Sequence, residues 1–253
     1  MTTSSNAPAI ETSVAATGLR KSFGGLKVLN GIDLTVETGE TISVLGRSGT
    51  GKSVLLKLLI GLEKPDAGSI QIDGQEIAGL PMQQLNEVRK GIGFLFQQAA
   101  LYDSLTLIQN VEFPLSRHTT LPPGERKARA EELLKRVGMS SDAEKLPAEI
   151  SGGMKKRAGL ARALALDPKL VMFDEPTAGL DPVTAAEIAQ LILDLKKAHQ
   201  ITSLVVTHDL RTARTISDRF IMLHDGNILV DGTFEDLERS KHPFIIEFLK
   251  DAS

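Results

Sequence analysis

The chain has 253 residues, 42% of them hydrophobic and 24% charged, a length sufficient for a full α/β core and a composition ordinary for a globular protein. Its 29 basic and 32 acidic residues nearly balance, so the formal net charge of -3 provides no general attraction for nucleic acid or anionic lipid. Cysteine is absent, which excludes disulfides and thiolate metal sites and favours a reducing compartment such as the cytoplasm.

The amino-terminal segment is polar and has no basic stretch followed by an apolar core, so it does not resemble a secretory signal. We expect residues 1–13 to form a flexible tail. The most apolar helical window, residues 54–62, contains Lys57 and is much shorter than the roughly 20 residues that cross a bilayer. The chain is therefore not expected to span a membrane.

The first third of the chain alternates strand and turn signals. Short alternating or β-branched runs between residues 14 and 44 predict strands joined by tight turns at 24–25 and 37–40. Residues 41–45 predict a short strand, and residues 53–60 predict a buried helix that Gly61 stops. A small hairpin is expected at residues 67–74.

The pattern changes in the middle of the chain. From about residue 97 to 164, charged helical segments such as 125–137 replace strands, which indicates a helical insertion. Strand patterns return at 170–173 and 202–206 on either side of an amphipathic helix at 183–199, the alternation that predicts a parallel sheet. The apolar stripe of residues 244–249 predicts a helix that docks on its own domain.

A phosphate-binding loop follows the predicted strand at 41–45. It matches the pattern G-x-x-x-x-G-K-[ST] and stands between a strand and a helix, as this motif requires. Glycines let consecutive backbone N–H groups turn toward phosphate, Lys52 would neutralise β- and γ-phosphate charge, and the Ser53 hydroxyl would ligate Mg²⁺. The loop consists of Gly46, Arg47, Ser48, Gly49, Thr50, Gly51, Lys52 and Ser53.

Two acidic residues close the predicted strand at 170–173. Because the carboxyl end of this strand is expected beside the phosphate loop, Asp174 would hold Mg²⁺ and Glu175 would orient or deprotonate the attacking water. An acidic pair at the end of a strand is by itself usually a solvated turn. Its partnership with Lys52 favours a catalytic site.

A second candidate anion site is the Ser-Gly-Gly-Met sequence at residues 151–154, which we call the signature. A serine at a helix N-cap and two glycines that allow close approach suit a phosphate, so Ser151, Gly152 and Gly153 are candidate contacts. Alone, the motif is also typical of a loop that leads into a helix with a basic, solvated first turn, since Lys155, Lys156 and Arg157 follow it.

The order of these motifs resembles that of ABC-family nucleotide-binding domains. It comprises the phosphate loop, Gln97, the signature, Asp174-Glu175-Pro176, residues 178–181 and His208, and it covers nearly the whole chain. The resemblance implies an α/β fold with a RecA-like P-loop NTPase core, an N-terminal antiparallel β subdomain and an inserted α-helical subdomain. The expected single ATP-binding domain covers 14–253, with the core and β subdomain in 14–96 and 165–253 and the helical subdomain in 97–164.

The same resemblance implies a homodimer in which two cassettes hold two ATP molecules head to tail, each site combining Lys52 of one chain with Ser151 of the other. Phe23 resembles the aromatic that stacks on adenine; the alternative is that it fills the core of the β subdomain. Gln97 is similar to the residue that links Mg²⁺ and the attacking water to the permease. His208 is similar to the γ-phosphate contact, and Asp181 to a contact with the opposite chain.

The signature ends in Met154, where the family usually has Gln. Together with residues 94–102 and 110–115, this departure resembles the ATPases of Mla-type phospholipid transporters that serve MCE proteins. That resemblance implies ATP hydrolysis that drives lipid transport through a membrane permease, with a lipid-binding MCE protein in the complex. It also implies a peripheral position on the cytoplasmic face of a bacterial inner membrane.

The apolar stretch from Ala99 to Leu107 beside Gln97 is the expected docking groove for a permease helix, so the permease contact is predicted near residues 97–107. The alternative is that these side chains pack inside the helical subdomain.

Three other functions compete with lipid transport. The nearest rival is an importer cassette for amino acids or another small solute. A non-transport ABC ATPase that acts on ribosomes or DNA is disfavoured because the chain carries neither a second cassette nor a long coiled-coil insertion, and no direct nucleic-acid contact is expected. A GTPase or small-molecule kinase leaves the signature and Asp181 unexplained.

Overall fold

The computed structural model describes residues 11–251, in which strands of two sheets alternate with helices. The strands are β1 (Thr12–Phe23), β2 (Leu26–Glu37), β3 (Thr41–Leu45), β4 (Ala67–Ile72), β5 (Gln75–Glu76), β6 (Ile92–Leu95), β7 (Leu170–Asp174), β8 (Thr202–Thr207), β9 (Arg219–His224) and β10 (Asn227–Gly232). The helices are α1 (Lys52–Leu59), α2 (Met82–Lys90), α3 (Leu107–His118), α4 (Pro123–Arg136), α5 (Gly152–Ala163), α6 (Pro182–His199), α7 (Leu210–Ile216), α8 (Phe234–Arg239) and α9 (Pro243–Asp251).

The larger sheet has the strand order β10-β9-β3-β8-β7-β6. Its central pairs are parallel, and only β10 runs antiparallel to its neighbour β9. Every residue of β3 and β8 is buried, as expected of parallel strands covered by helices on both faces. The predicted α/β class with a parallel core is confirmed.

The smaller sheet is antiparallel, with the order β2-β1-β4-β5, and comes from the first part of the chain. Its inner face shares one apolar core with α1 and with the larger sheet, so the two sheets pack together around Leu19, Leu56 and Ile70. The predicted hairpin at 67–74 is present as β4 and β5, with the turn at Asp73 and Gly74.

The predicted tail needs a correction at its end. Residues 1–10 lie outside the described part of the chain, but β1 already begins at Thr12, and the Ser13 side chain is 2% exposed. The Ser13 hydroxyl donates a 3.1 Å hydrogen bond to Oδ1 of Asp73, beside the β4–β5 turn. Residues 12 and 13 therefore belong to the small sheet.

Between β6 and β7 the described chain is helical. Helices α3, α4 and α5 pack on one another around an apolar cluster that includes Val111, Leu134 and Leu160. The position of these helices agrees with the helical subdomain expected at 97–164; its boundaries stay a prediction. At the other end of the chain, α9 buries Phe244, Ile245 and Phe248 against its own domain.

No helix within residues 11–251 has both the length and the apolar character needed to cross a membrane.

Candidate nucleotide site

The phosphate loop turns sharply between the end of β3 and the start of α1. Gly46 has φ 158°, and a Cβ atom there would lie 2.5 Å from the carbonyl oxygen of Leu223 and 2.8 Å from Oγ1 of Thr50. No side chain fits in that space. The glycine therefore keeps the loop close against β9, and the amino terminus of α1 opens toward the loop, where it suits an anion.

Lys52 begins α1 and is only 6% exposed. Its Nζ donates hydrogen bonds to the carbonyl oxygens of Gly46 at 2.8 Å and Arg47 at 2.9 Å, and lies 3.8 Å from Oε1 of Glu175. Burial lowers the pKa of Lys52, and the negative charges of Glu175 and Asp174 partly oppose that shift. The loop thus holds its own cation in place beside Asp174, the last residue of β7, and Glu175, which follows it.

Asp174 and Ser53 present two oxygen atoms side by side. Ser53 Oγ donates a 2.9 Å hydrogen bond to Oδ1 of Asp174. Burial raises the pKa of Asp174, and the hydrogen bond from Ser53 acts in the opposite direction. Within residues 11–251 no group of three or more acidic or histidine side chains forms a metal site by itself. This donor set fits Mg²⁺, which is commonly held by one or two protein oxygens together with substrate phosphates.

Glu175 has an unusual backbone conformation and a close partner. Its φ is 50°, and it is 8% exposed. Its Oε2 lies 2.9 Å from Nδ1 of His208 and accepts a 3.3 Å hydrogen bond from the His208 backbone N–H. A non-glycine residue in the left-handed region persists only where the surrounding structure holds it, and such residues cluster at functional sites.

The three side chains predicted to be catalytic, Glu175, His208 and Gln97, line one cavity of about 580 Å³. The structure thus brings together residues that lie far apart in the sequence. We call this space the phosphate-loop cavity, because Arg47 and Ser48 also line it. Its remaining walls come from Asp209, Leu210, Arg211, Phe248 and Asp251.

Arg47 differs from the other residues of the loop. Its Nη2 lies 2.8 Å from Oε1 of Glu247 and 3.0 Å from Oδ2 of Asp251, both on α9, and these hydrogen bonds raise the pKa of the guanidinium. The side chain predicted to contact nucleotide is therefore paired with α9. Its backbone carbonyl is the part that supports Lys52.

The signature forms a second helix amino terminus, at the start of α5. Ser151 is exposed and caps α5, its Oγ accepting a 3.3 Å hydrogen bond from the backbone N–H of Met154. A Cβ on Gly153 would lie 2.4 Å from Cγ2 of Thr184 in α6. Ser151 is not among the described residues that line the phosphate-loop cavity.

Asp181 caps α6 beside the signature. Its carboxylate accepts hydrogen bonds from the backbone N–H groups of Val183 and Thr184, each 3.1 Å long, and from the Thr184 hydroxyl at 2.6 Å. These bonds from Thr184 are the main cause of its lowered pKa. The signature and Asp181 therefore share one exposed edge, with Thr184 between them.

Phe23 lies at the end of β1 and is 44% exposed. It therefore does not fill the core of the small sheet, which was the alternative to adenine stacking. Lys21 Nζ lies 4.9 Å from the ring centroid. The stacking role itself stays a prediction.

The predicted docking stretch of residues 99–107 is only partly at the surface. Ala99 and Leu107 are buried at 1% and 0% exposure, so the ends of the stretch pack inside, as the alternative stated. Tyr102, by contrast, is 48% exposed and lines a cavity of about 680 Å³, which we call the aromatic groove. Its aromatic side chains are Phe94, Phe96, Tyr102 and Phe113.

Lys156 is the main site residue that the sequence did not single out. The basic run after the signature suggested a solvated helical turn, but Lys156 is 4% exposed. Its Nζ donates to the backbone carbonyls of Gln97 and Glu175. The sequence did contain a signal for its burial. Lys156 lies on the same face of α5 as Gly153 and Leu160, and that face otherwise consists of apolar or small residues.

Comparison with known families decides what this arrangement is. The family model described as ABC transporter matches residues 29–178, which is more than half of the chain and includes the phosphate loop, the signature, Asp174 and Glu175. The chain belongs to the ABC transporter family. It is an ATP-binding cassette of the ATPase type, as the order of its motifs predicted.

Relatives of this ABC cassette carry several transport functions in their names. It is 46% identical over 94% of its length to a probable ribonucleotide transport ATP-binding protein of Mycobacterium tuberculosis, and covers 66% of that protein. It is 42% identical over 85% of its length to a methionine import ATP-binding protein of Caulobacter vibrioides, and covers 64% of it. It is 40% identical over 91% of its length to an intermembrane phospholipid transport ATP-binding protein, MlaF, of Haemophilus influenzae, and covers 87% of it. The cassette thus spans about two thirds of the first two relatives.

A solved structure supports the same fold. A dimeric ATP-binding cassette, MJ0796, in a post-hydrolysis state with ADP and Pi, superposes with a TM-score of 0.81 at 35% identity, over 87% of this chain and 98% of that one. The predicted ABC cassette fold is confirmed.

Proposed function

We propose that this cassette hydrolyses ATP as one of a head-to-tail pair and that the pair drives lipid transport through a membrane permease. The observation that carries the ATPase part is the convergence of Lys52, Ser53, Asp174 and Glu175 at the end of two neighbouring elements, β7 and α1. Glu175 and His208 then face a cavity that the phosphate loop closes on one side.

The chain's own groups divide the work of hydrolysis. The backbone of the phosphate loop and Lys52 bind the β- and γ-phosphates, and Ser53 and Asp174 would hold Mg²⁺, which supplies charge neutralisation on the phosphate oxygens. Glu175 accepts a proton from the attacking water as the water oxygen bonds to the γ-phosphorus and the ADP oxygen leaves. His208, held through Nδ1 by Glu175, is positioned to contact the γ-phosphate.

The second chain completes the site. Ser151 and Asp181 stand at an exposed edge and are not among the residues lining their own phosphate-loop cavity. The signature amides at the start of α5 suit a phosphate, and an opposing cassette in head-to-tail orientation offers one. A homodimer with two shared ATP sites explains why an anion-binding turn is left open.

Replacement of Glu175 by Gln tests the ATPase part. A general base is worth about 10² to 10⁴ in rate, so Glu175→Gln should nearly stop turnover while ATP affinity changes little. With ATP, this variant should accumulate as a dimer in size-exclusion chromatography with light scattering. Glu131→Gln, an exposed acid on α4, is the matched control and should keep parental activity. Parental turnover in Glu175→Gln would reject the assignment.

The lipid cargo rests on a narrower observation. Met154 and residues 94–102 and 110–115 resemble Mla-type ATPases, and the Haemophilus relative is named for intermembrane phospholipid transport. The partners proposed on this basis are a permease that docks in the aromatic groove and a lipid-binding MCE protein. The cassette would then sit peripherally on the cytoplasmic face of the inner membrane.

Amino-acid import is the second candidate, because the Caulobacter relative of similar identity is named for methionine import. Affinity purification of the cassette from its native membrane, with mass spectrometry of proteins and lipids, separates the two. Co-purification of a permease together with an MCE protein and phospholipid would support lipid transport. A permease that arrives with an amino-acid-binding protein overturns it.

A further inference from the structure

Helix α5 carries two cations that bind the backbone of residues 97–100, which we call the Gln97 segment. Lys156 Nζ donates to the carbonyl oxygen of Gln97. Arg162, almost two turns further along α5, donates to the carbonyl oxygens of Ala99 at 2.8 Å and Ala100 at 2.7 Å. The segment is thereby fastened to the helix that begins with the signature.

Of these two cations, only Lys156 also reaches Glu175, the residue that follows β7. Its Nζ donates a 2.9 Å hydrogen bond to the carbonyl oxygen of Glu175. The Glu175 N–H donates to the carbonyl of Val206 at 2.8 Å, so its peptide groups are fixed on both sides. Glu175 has φ 50°, a conformation that needs such support. One ammonium group therefore joins the signature helix, the Gln97 segment and the backbone of Glu175.

Burial of the Lys156 ammonium group costs desolvation free energy. Lys156 is 4% exposed, and burial lowers its pKa to about 8 although Asp174 and Glu175 act to raise it. Most core positions of a helix are filled by apolar residues, as at Leu160 in the same helix. A buried cation with carbonyl acceptors on two different loops suits a role in fixing the relative position of those loops.

We propose that Lys156 is a positioning residue for hydrolysis, which sets the backbone of Glu175 and links it to the Gln97 segment. Movement of the Gln97 segment, as a docked permease would cause, is then transmitted through one side chain to the catalytic acid. The inference rests on the proposed catalytic role of Glu175 and adds to it a residue that does not touch the substrate.

The test is a double-mutant cycle in the full chain. Lys156→Met keeps the length and the apolar stem but removes the donors. Because a small misplacement of a catalytic group costs up to about 100-fold, kcat should fall about 10- to 100-fold while KM and ATP affinity change less than about twofold. In the Glu175→Gln background, where the group being positioned is already disabled, Lys156→Met should cause less than about a twofold further loss in single-turnover hydrolysis.

Arg162→Met is the matched control, since Arg162 is held by the same helix and the same segment but has no bond to Glu175. Even where the two variants lower the unfolding midpoint equally, Arg162→Met should reduce kcat less than Lys156→Met does. If Lys156→Met does not fold, Lys156→Gln replaces it in the cycle. The amide of Gln keeps two N–H donors on a shorter stem. The kcat of Lys156→Gln should therefore fall by less than the roughly 10- to 100-fold expected of Lys156→Met, again without a further loss in the Glu175→Gln background.

The outcomes separate the inference from the function on which it rests. Parental turnover in Glu175→Gln alone removes the catalytic assignment. Slow turnover in Glu175→Gln combined with a parental kcat in Lys156→Met, or with losses that multiply in the double variant, overturns the role of Lys156. A kcat loss that Arg162→Met reproduces in full does the same.

Discussion

The hydroxyl of Ser53 and the Oδ1 of Asp174 are joined by a hydrogen bond of 2.9 Å across 121 positions of sequence. Ser53 lies in the first turn of α1, and Asp174 is the last residue of β7. Each belongs to a separate sequence motif, and only the fold brings them together. The pair is where a cation bound to the phosphates of ATP would find protein oxygen ligands.

Replacement of Ser53 by Ala should weaken Mg²⁺ use. The change removes one oxygen ligand and also the hydrogen bond that opposes the raised pKa of Asp174. We expect ATP hydrolysis to fall about 10- to 100-fold and the Mg²⁺ concentration for half-maximal activity to rise, since loss of such partners costs metal affinity on this scale. Nucleotide binding in EDTA should stay unchanged.

Ser48→Ala is the control for this change. Ser48 is in the same loop and lines the cavity, but it is not at the motif position for the metal ligand. An equal loss in both variants, or a Mg²⁺ titration that Ser53→Ala does not shift, would contradict the assignment.

The tight contact between α5 and α6 predicts a specific steric effect. A Cβ at position 153 would lie 2.4 Å from Cγ2 of Thr184, so Gly153→Ala must shift the Thr184 side chain, whose hydroxyl donates to Asp181, or move α5 away from α6. Because the signature is proposed to complete the opposing ATP site, hydrolysis and ATP-dependent dimerisation should both fall strongly. Light scattering with ATP and a steady-state ATPase assay measure the two effects.

The same contact offers a rescue. Thr184→Ser removes Cγ2 but keeps the hydroxyl that donates to Asp181. The double variant Gly153→Ala with Thr184→Ser should therefore regain much of the activity, while Thr184→Ser alone stays near parental. No recovery in the double variant would show that the space around Gly153 is not the cause of the loss.

The features that sequence patterns could predict were local ones. The run from β3 through the phosphate loop to α1 was predictable because its glycines, lysine and serine lie within a few positions of one another. The strand that ends at Asp174 and Glu175 is similar, because four consecutive apolar residues precede the acids.

The features that sequence patterns missed depend on contacts between distant segments. Lys156 resembles a surface lysine until the carbonyls of Gln97 and Glu175, 59 and 19 positions away, are placed around it. Arg47 pairs with Asp251, 204 positions further along the chain. The apolar stretch 99–107 was ambiguous for another reason, since an irregular segment has no periodicity that tells inward from outward side chains.

A charge placed in the aromatic groove should detach the cassette from its permease. Tyr102 is 48% exposed, and the centroid of its ring lies 4.7 Å from that of Phe113, so Tyr102→Asp puts a carboxylate among the aromatic rings of the groove without opening the core. Co-purification with the permease should be lost, and ATP binding should stay parental. Leu101 is less suitable for this test because it packs against the core.

Ile246→Asp is the matched control for that experiment. Ile246 is 41% exposed on α9 and is not among the residues lining the aromatic groove. It should leave permease capture unchanged. Equal capture by the Tyr102 variant and the parental chain would rule out this groove as the docking site.

Among the substitutions proposed near the groove, we expect Asn110→Ala to lower the stability of the chain most. Asn110 is fully buried in α3, its Oδ1 accepts from the Tyr102 N–H, and its Nδ2 donates to the carbonyls of Tyr102, Leu105 and Thr106. Asn110→Ala removes the side-chain partner of the Tyr102 N–H and of the Leu105 carbonyl, while the carbonyls of Tyr102 and Thr106 keep backbone donors. This loss should lower the free energy of unfolding by about 1 to 3 kcal/mol in denaturant titrations. The exposed Asn86→Ala, on α2, should change it by less than about 0.5 kcal/mol. Since the Asn110 side chain bonds both the N–H and the carbonyl of Tyr102, Asn110→Ala should also weaken permease capture at temperatures where the chain is still folded. A parental free energy of unfolding in Asn110→Ala would contradict this role and show that the segment around Tyr102 does not depend on the Asn110 side chain.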